Sequence, residues 1–317
     1  DLIRWFYVAL GGQAELGFAF ATMIRLALAA LVLGVPTVLM GGTLPAVARA
    51  VTTDDDRQRR LVGVLYGVNT LGAVAGVVAG TFFLLPGLGT RLSLWSACLL
   101  DFAVAFAALR LARRGRPVQV ASAAPVAPHD IPLAATTAPA APAALLYVTA
   151  GLVGFAFFLM ELVWFRMLGP ILGGTNYTFG LILAVALAGI GLGGALYPML
   201  FRQRQPDALA LALTCSLEAL CIAGPFWLGD RLALEALWLQ SESVGLAQNV
   251  WGWCWVVSVV VLAPAMVSGV QFPLLIALLG HGRARLGREV GLAAASNTLG
   301  AIVGSLAGGF GLLPLLS

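Results

Sequence analysis

Apolar runs of roughly twenty residues recur along the chain, separated by short stretches in which arginine is the commonest charged residue. Runs of that length match the hydrocarbon core of a bilayer when helical, so the pattern predicts about eight membrane-spanning helices. They are expected over residues 18–48, 61–85, 92–111, 144–168, 177–201, 207–228, 251–279 and 289–313. The first of these is expected to be broken, because Pro36, Gly41, Gly42 and Pro45 interrupt it. Residues 1–17 mix Arg4, Trp5, Phe6, Tyr7 and Glu15 with apolar neighbours, which suits the headgroup region. Residues 229–249 repeat that character with Glu235, Trp238 and Glu242.

A second pattern lies over the first. Asn69-Thr70-Leu71-Gly72-Ala73 returns as Asn297-Thr298-Leu299-Gly300-Ala301, and Leu84-Leu85-Pro86 returns as Leu312-Leu313-Pro314, both at an offset of 228. The same offset carries Pro36 onto Pro264, Gly41 onto Gly269, Pro45 onto Pro273, and Gly76 and Gly80 onto Gly304 and Gly308. A long-period duplication in an apolar chain predicts two homologous halves, here parallel because the third span restores the orientation of the first. The expected fold is thus an all-α polytopic membrane protein in two parallel repeats. The first repeat and its connecting span occupy residues 1–116, an Ala/Pro-rich linker 117–143, and the second repeat 144–317. In this register the first repeat is incomplete: Asp1 falls on Gly229 and Ser317 on Gly89, so the chain reads as already under way at one end and unfinished at the other.

Composition sharpens the class. The chain is 60% hydrophobic and 10% charged, with a mean hydropathy of +0.96, against about a quarter charged in soluble domains. No stretch remains for a sizeable soluble domain. Every basic side chain apart from the two histidines is an arginine, and the arginines gather in the loops 49–60, 110–116, 202–204 and 281–288. That is a topology signal rather than a nucleic-acid footprint, and it predicts these loops, with the linker, on the inner side. Cys98, Cys215, Cys221 and Cys254 fall inside spans without metal-ligand spacing and read as buried small hydrophobes. No cofactor is expected.

Candidate chemistry lies with polar groups inside spans, where a charge costs about 2.5–3.5 kcal/mol on insertion scales. These are Asp101, Glu161 and Glu218, with Arg25 and Arg166 closer to span ends. Glu161 and Arg166, five residues apart, point about 140° away from each other on one helix, so Glu161 needs another partner or a proton. Asn69 and Asn297 read most simply as interhelical hydrogen bonds. The segments around Gly41 with Thr43, and around Gly269 with Gln271, are expected to be interrupted at matching positions, either as plain structural kinks or to free backbone groups around a central site. The candidate ligand-binding set is Gly41, Thr43, Asn69, Glu161, Gly269, Gln271 and Asn297, lining a cavity for a cation. The stripes Gly72-x-x-x-Gly76-x-x-x-Gly80 and Gly300-x-x-x-Gly304-x-x-x-Gly308 predict close helix contacts. Gly189-Ile190-Gly191-Leu192-Gly193-Gly194 satisfies the dinucleotide fingerprint in letters, but no strand precedes it and that reading fails.

The motifs Pro36-Thr37-x-x-Met40-Gly41-Gly42-Thr43-Leu44-Pro45, Leu65-Tyr66-x-x-Asn69-Thr70-Leu71-Gly72-Ala73 and Leu84-Leu85-Pro86-x-Leu88-Gly89 resemble the membrane part of bacterial spermidine-synthase-like proteins, often described as a fused major facilitator/spermidine synthase. Glu161-x-x-Trp164-x-Arg166 followed by Gly173-Gly174-Thr175-x-Tyr177 resembles the opening helix of that family's repeat. The resemblance implies a multi-pass protein of the bacterial inner membrane, a polyamine ligand, and a soluble aminopropyltransferase-like domain as partner, with catalysis there and no catalytic residue in this chain. A stand-alone major-facilitator-like transporter and a structural subunit of a larger membrane complex are the alternatives.

Overall fold

In the computed structural model the described residues are 12–51, 59–114, 142–239, 246–280 and 283–312, with Trp5, Ala9 and Leu315. All regular structure among them is helical. The chain runs through α1 (Gly12–Gly41), α2 (Thr43–Val51), α3 (Arg60–Val78), α4 (Leu85–Arg114), α5 (Ala143–Leu172), α6 (Asn176–Leu200), α7 (Ala208–Leu228), α8 (Arg231–Leu239), α9 (Leu246–Leu279) and α10 (Arg283–Leu306). Two π-helical stretches, Ala79–Leu84 and Ala307–Leu312, continue α3 and α10. The linker 117–143 lies almost wholly outside the described residues, as do most of residues 1–11 and the loop carrying Asp54 to Arg57.

Among the described residues seven helices are long and apolar enough to cross a membrane, against about eight expected. The difference falls at 60–113, which counts as one run of 54 residues. At 1.5 Å per residue such a helix would be about 80 Å long, well beyond a hydrocarbon core of about 30 Å. Gly89 interrupts it with φ 70° and ψ 175°, a conformation outside the helical region that glycine adopts without a Cβ penalty. The protein is thus a multi-pass helical membrane protein by length and composition of its helices.

The breaks do not all fall where expected. Helix α1 runs through Pro36 and stops at Gly41, with Gly42 alone separating it from α2. The matching interruption at Gly269 is absent, because α9 continues through both Pro264 and Pro273. Gly269 serves packing instead: a Cβ there would collide with the carbonyl of Ile190 on α6. Proline is accommodated in a buried apolar helix when neighbours absorb the freed carbonyl, and α9 is the most enclosed of the spans.

Helix α6 is the centre of the bundle. Gly63 and Gly67 of α3 meet the backbone of Gly191, Gly194 and Ala195, while Gly189 and Gly193 meet Ala265, Met266 and Gly269 of α9. Its start is fixed locally: Gly173 and Gly174 take φ values of 92° and 61°, and the Thr175 hydroxyl accepts the Thr178 N–H at 3.4 Å. Helix α5 lies along α10, with Gly151 and Phe155 against Gly300 and Gly304. The stripe on α10 is thus used as expected. On α3 it is not, since Gly72, Gly76 and Gly80 have nothing near them. Helix α7 packs on the outside of α9, whereas α1 and α4 expose apolar side chains such as Val38, Leu100 and Phe102.

Three of the four arginine-bearing loops meet at one end. Arg59, buried and in the left-handed region at φ 53°, lies 3.7 Å from the Glu289 carboxylate and donates to the Gly280 carbonyl at 3.2 Å. Arg60 donates to the carbonyls of Phe201 and Arg202, and Gly287 packs beside Arg49. All four cysteines are half-buried and unbridged, more open than a fully buried hydrophobe.

Gly193→Ala is expected to lower stability by about 1–3 kcal/mol through overpacking against Met266. Gly76→Ala, with open space around it in the interior of α3, should leave stability unchanged or raise it by up to about 1 kcal/mol, the helix preference of alanine over glycine. Denaturant unfolding of the two variants in detergent micelles checks the contrast.

Candidate functional site: a polar-floored cavity between five helices

The close approach of α3 and α9 to α6 leaves a gap where their larger side chains diverge. A cavity of about 190 Å³ opens there, bounded by Tyr66 and Thr70 of α3, Leu183 to Ile190 of α6, Ser268, Phe272 and Leu275 of α9, Asn297 of α10, and Val153 to Glu161 of α5. Its walls are mostly apolar and aromatic. The Tyr66 and Phe272 rings stack at 4.8 Å, and Phe157 is held edge-on by Trp164 at 5.9 Å. The polar residues of its lining stand at separate points: Glu161, Asn297, Tyr66, Thr70 and Ser268.

Glu161 is buried on the inner face of α5, while Arg166 is exposed, as the helical angle between them requires. Among the described residues Glu161 forms no ion pair and no hydrogen bond. Asn297 is anchored, its Nδ2 donating to the Ala150 carbonyl at 3.1 Å across the α5–α10 contact. The Thr70 hydroxyl donates to the Tyr66 carbonyl at 2.8 Å, an i−4 bond that satisfies it within α3.

The other expected site residues lie elsewhere. Gly41 and Thr43 are at the α1–α2 junction, Gly41 exposed and the Thr43 hydroxyl donating to the Met40 carbonyl at 2.7 Å. Asn69 is exposed on α3 and has no hydrogen-bond partner among the described residues. Gly269 is spent on the α6 contact. Gln271, fully buried, donates through Nε2 to Glu218 Oε2 at 2.8 Å, and Ser268 also hydrogen-bonds that carboxyl. Asp101 is exposed on α4. The structure therefore joins Glu161 and Asn297 at one cavity, sets Gln271 beside it with Glu218, and leaves Gly41, Thr43 and Asn69 apart.

Tyr66, Ser268 and the phenylalanines were not singled out from the sequence. Tyr66 stands three residues before Asn69, and Ser268 one before Gly269, but a depth along a helix says nothing of which neighbour a side chain will face. Among the described residues no cluster of His, Cys, Asp and Glu is arranged to hold a metal ion.

No protein-family model, curated protein or solved structure matches the chain. The class that its fold defines is the multi-pass helical membrane protein, and the cavity is read on its own chemistry.

Asn297→Ala is expected to cost about 0.6 kcal/mol, and no more than about 1.7 kcal/mol, the range of interhelical hydrogen bonds in membranes. Asn69→Ala should cost nothing measurable, so the paired unfolding curves separate two asparagines that look equivalent in sequence.

Proposed function

We propose that this chain is an integral membrane module that binds a small organic ammonium ion in the cavity beside Glu161, as a step in holding or moving a polyamine-like cation. The observation that carries the reading is Glu161 itself: a carboxyl buried at an aromatic-lined cavity with no ion pair or hydrogen bond among the described residues. A carboxyl kept in that position for structure alone would be expected to have a partner, because an unpartnered one is costly. An ammonium on an alkyl chain fits each part of the lining. Its charge pairs with Glu161, its N–H groups find Ser268 and Asn297, and its methylenes and cation face the rings of Tyr66, Phe157, Phe158 and Phe272.

Magnitudes set the size and strength. At about 30 Å³ for each water in the liquid, 190 Å³ is the equivalent of about six waters, room enough for a short diamine. An ammonium about 4 Å from a carboxylate gains about 4 kcal/mol at an effective dielectric of 20, before desolvation. Each aromatic face adds about 0.5–2 kcal/mol. Dissociation constants between about 1 mM and 1 µM, or −4.1 to −8.2 kcal/mol, follow.

The wider reading is a membrane part of the spermidine-synthase-like kind in the bacterial inner membrane, with an aminopropyltransferase-like domain as partner and the linker 117–143 cytoplasmic. Its support is the motif resemblance together with the gathering of arginine loops at one end. The two-repeat arrangement is supported by the π-helical stretches, since Ala79–Leu84 and Ala307–Leu312 stand 228 residues apart at corresponding ends of α3 and α10.

Calorimetric titration of the purified protein with 1,4-diaminobutane tests the site. Wild type is expected to bind, and Glu161→Gln to weaken binding by at least about tenfold, or 1.4 kcal/mol, with an unchanged unfolding midpoint. Equal binding by the two proteins would return Glu161 to a structural role. Orientation is tested separately by Gln203→Cys in a background with the native cysteines replaced. A reagent that cannot cross the membrane should leave it unlabelled in intact cells, and labelling there would reverse the topology.

A further inference from the structure

Glu218 is the second buried carboxyl of the described bundle, and the cavity reading leaves it without a task. It projects from α7 towards α9, the helix against which α7 packs. From α9 it meets only uncharged groups, Gln271 and Ser268; on its own helix the Cys215 thiol lies close by. No cation pairs with Glu218 among the described residues. The only titratable side chain anywhere on α9 is Cys254.

Two details give this cluster a direction. Gln271 is fully buried, and although its Nε2 donates to Glu218 at 2.8 Å, its Oε1 is buried with no hydrogen-bond partner. A half-turn of the amide would present that oxygen to a protonated Glu218, so one side chain can serve both charge states of the carboxyl. Ser268 has the second feature. It hydrogen-bonds Glu218 and also lines the Glu161 cavity, so a single hydroxyl stands between the two sites.

We propose that Glu218 is a proton-binding site coupled through Ser268 to the cation cavity, so that a bound ammonium and a proton on Glu218 exclude one another. This rests on the cation reading above. A hydroxyl has one proton. With Glu218 ionised, Ser268 donates that proton to the carboxylate and turns its oxygen to the cavity, where an ammonium N–H can donate to it. With Glu218 protonated, the carboxyl donates to Gln271 Oε1, and the Ser268 proton is free to point into the cavity, against an incoming cation. The exchange balances: one ammonium enters from solution, the Glu218 O–H bond breaks, its electron pair stays on the carboxylate, and one proton leaves to solution. Affinity for the amine therefore rises with pH through the titration of Glu218, by at most about tenfold per pH unit for one proton.

The test is titration of the purified full chain in micelles with 1,4-diaminobutane, over a series of pH values and in buffers of different ionisation enthalpy, which gives the protons released for each amine bound. Wild type is expected to release a fraction of a proton, up to one. Glu218→Gln should bind the amine with a smaller release and a shallower pH dependence than wild type, keeping only the share that Glu161, across the cavity, and the amine itself contribute. Ser268→Ala leaves the Gln271–Glu218 hydrogen bond in place and should lose the same share of the pH dependence as Glu218→Gln, while Ser268→Thr, which keeps the hydroxyl, should retain it. Wild-type binding without proton release overturns the coupling alone. Release undiminished in Glu218→Gln assigns all of the proton elsewhere and also overturns it. Absence of amine binding by wild type at every pH sinks both this coupling and the cavity reading, a result distinct from binding without release.

Discussion

The architecture depends on backbone touching backbone along α6. In lipid, tails are as apolar as the helices, so helices associate through close packing rather than expulsion of water, and residues without side chains allow the closest approach. Helix α6 has such residues on two sides. Gly191 and Gly194 receive α3, and Gly189 and Gly193 receive α9. Once those three helices are fixed, Tyr66, Thr70, Ser268 and Phe272 are brought to a common cavity. The α5–α10 contact, made through Gly151, Gly154, Gly300 and Gly304, then closes the remaining wall and presents Glu161 and Asn297. Polar chemistry at the centre is thus a consequence of glycines placed elsewhere.

Charge is divided between two levels of the bundle. Arginines gather at one end, where Arg59 is held in a left-handed conformation by the Gly280 carbonyl and the Glu289 carboxylate. A non-glycine residue at φ 53° is uncommon, and here it turns the chain into α3 while its guanidinium ties the start of α3 to α10 and to the end of α9. Away from that end the bundle carries carboxyls without arginine partners. Glu161 and Glu218 are each buried, and among the described residues Ser268 is the one side chain that both borders the cavity and hydrogen-bonds Glu218.

Much of this was legible in the sequence, for reasons of period and length. Apolar runs located the spans, the glycine pattern on α10 marked a close contact, and the spacing of Glu161 from Arg166 showed that they would not pair. What escaped was rotation and register between helices, which no single helix encodes. Gly41 and Gly269 occupy matching places, yet the chain breaks beside one and stays helical at the other, because Gly269 has α6 against it and Gly41 has nothing. Asn69 and Asn297 are matched in the same way, but only Asn297 has a helix across from it with a carbonyl to bond. Gln271 was read as a cavity residue and instead turns to Glu218, one face away, for the side on which α7 packs is a tertiary fact.

The account stands on an ammonium held against Glu161, and contact between the two can be observed directly. Solid-state magnetic resonance on proteoliposomes, with carboxyl-¹³C glutamate in the protein and ¹⁵N in 1,4-diaminobutane, reports dipolar coupling between a bound amine nitrogen and a glutamate carboxyl. The account predicts a coupling to one glutamate that disappears in Glu161→Gln. A bound amine that shows no glutamate contact, or a contact that survives Glu161→Gln, would contradict it.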